Sequence, residues 1–345
     1  MDKEEIKGST DDLKVELSRL ERQANAFMAS RIVMLGVELG IYDRLVRGDA
    51  DAGTLADDLE TTQRGMEIVC DALVSLAWLD KHDGKYALKP AAAAFLVDGE
   101  PESRVSIMKH RAEMFRAWAV LEQIVRVGSL VTEGEKATLT DPATNRNFIL
   151  GMAEVSRGRL GPIVDRLPLD GARRFVDVGG GPAQYAIEIA RRNPTLQATV
   201  VDLPLTVEVA KECIADAGLS DRVDTVVCDF YASETVDLGG EADVVLISQV
   251  FHAEGAVENA ALITKISVSL RRGGWIAVVD NMIDEDGTSP PAAALFAVNM
   301  LAGTERGRTY TEKEIAGWLK SAGLEVEPLI EIGPRTQMIL ARKPV

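Results

Sequence analysis

Cysteine is scarce in this chain of 345 residues: Cys70, Cys213 and Cys228 are the full complement. An odd count at wide spacing builds neither a disulfide framework nor a cysteine-rich zinc site, which points to a reducing cytoplasmic setting. Positive charge is also short. Lys and Arg number 38 against 54 Asp and Glu, a formal net charge of −16. Such a surface repels phosphate backbones and anionic bilayers, so nucleic acid and membrane are not expected as partners. No apolar run reaches the roughly 18 residues of a spanning helix. Met1-Asp2-Lys3-Glu4-Glu5 lacks the apolar stretch of a secretory leader, and none is expected. Aromatics make up 5% of residues, and histidine occurs only at His82, His110 and His252. What remains is ordinary for a globular protein, 46% hydrophobic and 27% charged, with length for two domains.

The two halves read differently. Residues 1–165 are helical in pattern, and the apolar run Ala26–Leu45 reads as buried. Gly53–Leu59 reads as a short helix, Met66–Leu79 as a second, and Lys81–Leu88 as a hairpin turning at Asp83-Gly84. That order outlines a winged helix-turn-helix. Between Asp49 and Lys89, however, nine acids face four Lys or Arg, the wrong balance for reading DNA. A structural or dimerisation module is expected instead. Residues 166–345 alternate strand and helix, with Pro168-Leu169-Asp170-Gly171 at the junction. Strands are expected at Phe175–Val178, Leu196–Asp202, Arg222–Cys228, Ala242–Ser248 and Trp275–Asp280. They are apolar on both faces, as in a parallel α/β sheet covered by helices. Leu324–Ile332 and Thr336–Ala341 have no helix between them and read as an antiparallel closing pair.

Val176-Asp177-Val178-Gly179-Gly180-Gly181-Pro182-Ala183 follows the first of these strands and opens a helix. Glycines there admit a ligand to the backbone, and the helix start offers free N–H donors. A dinucleotide loop needs glycine at its first, third and sixth positions; Gly179 and Gly181 fit, but the sixth is Gln184. Asp177 sits just ahead of the loop, where a carboxylate repels a pyrophosphate and favours a cationic amino acid group. S-adenosyl-L-methionine carries an ammonium and a sulfonium and no phosphate. Asp202 ends the second strand, where an acid accepts ribose hydroxyls, and Asp229-Phe230 after the third offers an acceptor and an aromatic face for adenine. His252 follows Ala242–Ser248 at the ligand-binding edge of such sheets, and Asp280 ends the next strand, placed to orient an imidazole.

With these segments, the chain resembles the plant-type small-molecule O-methyltransferases and their bacterial relatives, near acetylserotonin and hydroxyneurosporene methyltransferases. The resemblance runs in order through Asp177–Pro182, Asp202-Leu203-Pro204, Asp229-Phe230-Tyr231, Ser248–His252, Ile283–Asp286 and Asn299-Met300-Leu301, and includes Trp118–Gly128 in the helical half. It implies a helical, winged-helix-like dimerisation domain and a Rossmann-like methyltransferase domain with a seven-stranded, mostly parallel sheet. It implies Asp202 on the ribose, Asp229 and Phe230 near adenine and Ser248 near the cofactor; with Asp177, Gly179, Gly181 and Leu203 these are the expected contacts of S-adenosyl-L-methionine. His252 is implied as general base, the enzyme as a homodimer, and no metal as required. The family's His-Asp-Trp stands here as His252-Ala253-Glu254, its Glu-Arg-Thr as Gly307-Arg308-Thr309, and the loop's last glycine as Ala183.

O-methylation of a hydroxyl on a small metabolite is therefore expected, with Asp280 supporting His252. S-methylation of a thioether, which has no proton to remove, is the alternative. A nicotinamide oxidoreductase and a DNA-binding regulator stand behind both. The substrate pocket is expected to draw on Trp118, Phe148, Met152, Asn299 and Met300, with Met114, Phe115, Phe251 and Phe296 as further candidates. Arg111, Arg146, Arg157 and Arg159 are candidates for an anionic substrate.

Overall fold

The computed structural model describes residues 10–129, 138–333 and 336–345; Met1–Glu5 lie outside them. The chain divides into two compact units, the boundary falling between Ala112 and Glu113. Residues 113–165, grouped by their helical pattern with the first half, fall in the second unit.

The first unit begins with the long helix α1 (Thr10–Glu38) and α2 (Ile41–Leu45). Strand β1 (Ala50–Asp51), α3 (Ala52–Asp58), α4 (Gln63–Ser75), β2 (Leu79–His82), β3 (Lys85–Leu88) and α5 (Pro90–Phe95) follow. Asp51 and Thr62 cap α3 and α4 by accepting from the Thr54 and Gly65 amides, which satisfies backbone donors that a helix start leaves open. Asp83 and Gly84 have φ of 49° and 78°, the paired left-handed residues of a two-residue hairpin. The strands pair antiparallel in the order β1-β3-β2. Ile41, Tyr42, Leu55, Cys70, Leu73, Leu79 and Tyr86 are fully enclosed beneath them. The run Ala26–Leu45 is buried only from Met34 onward; Phe27 and Met28 are each 52% exposed on α1. Its apolar pattern is continuous, but among the described residues of its own unit nothing covers α1 at that level.

The second unit contains the end of α6 (Val105–Trp118), α7 (Leu121–Val127), α8 (Pro142–Ser156) and α9 (Leu160–Val164). Then come β4 (Arg174–Val178), α10 (Gln184–Arg192), β5 (Gln197–Asp202), α11 (Pro204–Asp216), β6 (Val223–Val227), β7 (Ala242–Ser248), α12 (Ala256–Ser269) and β8 (Leu270–Asp280). The chain finishes with α13 (Pro291–Gly303), α14 (Glu312–Ser321), β9 (Glu325–Val326), β10 (Ile330–Gly333) and β11 (Thr336–Arg342). The sheet order is β10-β11-β8-β7-β4-β5-β6, with two-residue β9 on β11. From β6 to β8 every pairing is parallel, and β11 runs antiparallel to β8. Successive strand residues enter opposite cores. Phe175, Val200, Val244 and Ala277 pack with Ile189 and Ile214, while Val176, Val201, Val245 and Ile276 pack with Leu262, Ile266 and Leu319. Burial on both faces is why these strands lack polar alternation. β8 starts five residues before the expected Trp275 because Gly273 and Gly274 let it cross a register shift against β7.

Chain order reverses between β4 and β7, so ligands are expected in the crevice beyond their carboxyl ends. The registers bring Val178 beside Val201 and Ile247, and Ser248 beside Val279. Asp202, Ser248 and Asp280 therefore reach one edge. Among the described residues no helix is long and apolar enough to cross a membrane.

Candidate active site

The loop after β4 is held by close approach. Gly179 and Gly181 have φ of 69° and 53°, and Ala183 joins them at 64°. A methyl group on Gly179 would stand 2.5 Å from Val250 Cγ2, and one on Gly180 2.7 Å from Asp177 Cγ, so side chains are shut out of both positions. The Gly181 amide donates to Asp202 Oδ2 at 2.9 Å, and the Leu203 amide donates to Asp202 Oδ1 at 2.7 Å. Burial nevertheless pushes the Asp202 carboxyl up to about 6, with those two amides opposing it.

Asp177 is wholly enclosed in β4, and neither of its oxygens makes a well-formed hydrogen bond; the Ala186 amide beside it acts weakly to lower its pKa. Burial, reinforced by the Asp202 charge, raises its carboxyl to about 8. Tyr185 Oη and Arg159 Nε are likewise buried with no well-formed hydrogen bond. Burial raises the Tyr185 phenol, partly opposed by the Arg159 guanidinium and the Ser248 hydroxyl beside it, while the Asp177 carboxylate raises it further. Orphaned buried polar groups are rare because each costs about 1–3 kcal/mol. Here they are a carboxyl, a phenol and a guanidinium N–H in one neighbourhood; once the carboxyl gives up its proton, they complement the ammonium and carboxylate of an amino acid. S-adenosyl-L-methionine ends in that amino acid, so the residues present fit it. Tyr185 and Arg159 had been hidden in sequence, one as a polar aromatic in a helix and the other among four arginines.

After β6, Asp229 Oδ1 accepts from the Tyr231 and Ala232 amides, making a tight turn. Phe230 is buried, and its ring lies against the glycine loop, 3.7 Å from where a Gly179 methyl would be. Lys265 Nζ, from α12, donates to the carbonyls of Phe230, Tyr231 and Ser233 at 3.2, 3.0 and 2.6 Å.

After β7 the backbone enters a left-handed residue, Gln249 (φ 59°), then a single 3-10 turn, Phe251–Ala253. Gln249 Oε1 accepts from Asn281 Nδ2 at 2.8 Å, tying this bend to the residue after β8. His252 Nδ1 meets Asp280 Oδ1 at 2.8 Å, with side-chain exposures of 14% and 6%. The Asn281 amide donates to the same oxygen at 2.8 Å. With Nδ1–H donating to the carboxylate, Nε2 carries the lone pair. The edge of the ring meets Phe296 of α13 at 4.7 Å between centroids. Glu254 turns to Arg306.

Trp118 Nε1 donates to Asn299 Oδ1 at 3.1 Å, which joins the end of α6 to α13, and Met300 is buried one residue on. Phe148 and Met152 lie half-buried on α8. Phe251, a sequence candidate for the pocket, is instead fully buried with its ring edge-on to Trp318 at 5.7 Å. A 3-10 turn rotates each side chain by about a third of a circle, which sends Phe251 to the core while its neighbour faces the site. Arg146 is paired with Glu212. Among the described residues no cluster of three or more His, Cys, Asp or Glu is arranged to hold a metal.

Residues 130–325 match the model of an O-methyltransferase domain, and residues 21–98 that of an O-methyltransferase dimerisation domain. The 3-hydroxy-5-methyl-1-naphthoate 3-O-methyltransferase of Streptomyces sahachiroi is 32% identical over 309 residues, 87% of each chain. The tetracenomycin polyketide synthesis 8-O-methyl transferase of Streptomyces glaucescens is 30% identical, covering 92% of this chain and 94% of that one. The crystal structure of human N-acetylserotonin methyltransferase in complex with SAM superposes with a TM-score of 0.83 at 26% identity, covering 98% of this chain and all of that one. The glycine loop with its unpartnered acid, the histidine–aspartate pair and these relatives agree: the chain belongs to the O-methyltransferase family, and its methyl donor is S-adenosyl-L-methionine.

Proposed function

We propose that the enzyme methylates a phenol-type hydroxyl on a small, partly apolar metabolite, with His252 as general base and Asp280 as its support. The observation that carries this reading is the 2.8 Å His252–Asp280 contact at the carboxyl edge of the sheet, beside the strands that end in Asp202 and Ser248. Asp177, with Tyr185 and Arg159, receives the amino acid end of the donor. Asp202 and Leu203 receive the ribose, and Asp229 and Phe230 the adenine, with Ser248 alongside. When bound, S-adenosyl-L-methionine supplies a methyl group already activated by a neutral thioether leaving group. The protein's task is to bring the acceptor oxygen in line with it, an effect worth about 7–11 kcal/mol when well oriented. His252 Nε2 accepts the hydroxyl proton as the oxygen–carbon bond forms, and Asp280 stabilises the imidazolium that results. The proton then passes to solvent.

Trp118, Phe148, Met152, Phe296, Asn299 and Met300 form the acceptor side. The Trp118–Asn299 hydrogen bond fixes the amide there. Relatives named for a hydroxynaphthoate and for tetracenomycin polyketide synthesis support a hydroxyarene acceptor, and these relatives do not favour the thioether, oxidoreductase and DNA-binding readings. The enzyme works as a homodimer in the cytoplasm. The dimerisation-domain match and the exposed Leu13, Leu17, Leu20, Phe27 and Met28 of α1 support the first statement, and three free cysteines the second. The winged-helix-like order of α3, α4 and the β2–β3 hairpin then serves packing rather than DNA.

A screen of hydroxyarenes with labelled methyl donor tests the reading. On the acceptor found, His252→Ala is expected to lower kcat by about 10²–10⁴, with affinity for S-adenosylhomocysteine within twofold of wild type. A His252→Ala enzyme that turns over a hydroxyl acceptor at the wild-type rate ends it.

A further inference from the structure

His252 and the adenine-side turn sit after different strands, yet both are held by α12. Asn259, fully buried on that helix, donates through Nδ2 to the carbonyl of Phe251 at 2.8 Å and to that of Glu254 at 3.3 Å. These two carbonyls bracket His252. The other end of the same amide, Oδ1, accepts from the Tyr231 hydroxyl at 2.6 Å. Tyr231 follows Phe230 directly, and its turn is clamped by Lys265 of the same helix through three carbonyls. The Tyr310 hydroxyl also donates to the Glu254 carbonyl. The Asn259 side chain thus uses all its polar atoms on two loops, in a site that excludes water. A buried amide with every group satisfied has one orientation, because flipping it would set its oxygen against two carbonyls.

We infer that Tyr231 and Asn259 are positioning residues that couple the two halves of the site: seating of the adenosine moiety on the Asp229–Tyr231 turn sets the orientation of the His252 imidazole. The coupling needs no charge and no large motion. A shift of the Tyr231 hydroxyl is passed to the Asn259 amide, and from its nitrogen to the peptide unit before His252 and to the Glu254 carbonyl two residues after it. Such a chain of contacts earns the word coupling only if perturbing one end is read at the other. The inference rests on the reading of His252 as base and of Phe230 as the adenine contact.

The chain's three histidines make the test direct. Imidazole resonances are followed by NMR, with His252→Ala supplying the assignment. Saturating the wild-type protein with S-adenosylhomocysteine is expected to move the His252 signals. In Tyr231→Phe, which keeps the ring and loses only the hydroxyl, that movement is expected to fall below about half, at ligand concentrations that calorimetry shows to be saturating. His82 and His110 are expected to match wild type. Lys265→Met, which frees the same turn from its other clamp, is the second variant and is expected to act in the same direction; it decides the matter if Tyr231→Phe does not fold. A His252 response in the variant equal to that of wild type overturns the proposal, and so does a wild-type His252 signal indifferent to the ligand. Failure of the base assignment registers separately, as methyl transfer to a hydroxyarene that survives His252→Ala.

Discussion

Asp177 and Asp280 are both buried acids near the carboxyl ends of strands in one sheet, and the protein treats them in opposite ways. Asp280 is satisfied: it accepts from the Asn281 amide and from the His252 ring. Asp177 makes no well-formed hydrogen bond, and burial beside Asp202 holds its carboxyl up near 8 against the weak pull of the Ala186 amide. In the free protein the fold completes Asp280 and leaves Asp177 without a side-chain partner. A carboxylate whose partners come from the chain belongs to machinery assembled in the free protein. One without partners is costly to ionise, a cost relieved by a proton or by a cationic guest.

The comparison breaks most visibly at Asp280. Asp280→Ala is expected to lower kcat on a hydroxyl acceptor by about 10², and to lower the melting temperature of the free enzyme, since it strands the Asn281 amide and the His252 Nδ1–H in a dry site. Asp177→Asn should do the reverse to stability. Its expected effects are a free enzyme that melts a few degrees higher at pH 8 and binding of S-adenosylhomocysteine weaker by about tenfold to a hundredfold; a variant with unaltered affinity removes Asp177 from the donor site. The pH dependence sharpens the same contrast. A raised carboxyl contributes stability that is full below its ordinary value of 3.8 and is lost as pH rises toward about 8. Free-enzyme melting temperature is therefore expected to fall from pH 5 to 8. The increment from S-adenosylhomocysteine should grow over that range, and calorimetry in buffers of differing ionisation enthalpy should find up to one proton released per site at pH 7. The smallest effect belongs to Arg306, whose exposed contacts with Glu254 and Glu258 flank the His252 turn. Arg306→Ala is expected to change stability by less than about 1 kcal/mol and kcat by less than twofold, which would set surface ion pairs on this turn apart from the buried amide of Asn259.

Much of this was legible in the amino-acid order because it depends on local chemistry. Strands apolar on both faces announced a covered parallel sheet. Asp83-Gly84 announced a hairpin. That His252 and Asp280 meet at one sheet edge was legible because parallel strands bring their carboxyl ends together. The rest depended on which way a side chain turns. Phe251 and His252 are neighbours in sequence and opposites in space. Tyr185, Arg159 and Asn259 are polar residues whose meaning lies in partners far along the chain, or in having none. Phe27 and Met28 look like core by pattern, but pattern does not say whose core.

Gly307 has a consequence for anyone seeking to retune the enzyme. A methyl group there would stand 2.3 Å from the His252 carbonyl oxygen and 3.0 Å from the Ala253 carbonyl carbon. The backbone of the α13–α14 connection is thus pressed flat against the turn, and position 307 is closed to any side chain. An added acid meant to strengthen the base has to come from another direction, such as the face of α13 around Phe296, or it will dislodge the residue it was meant to help.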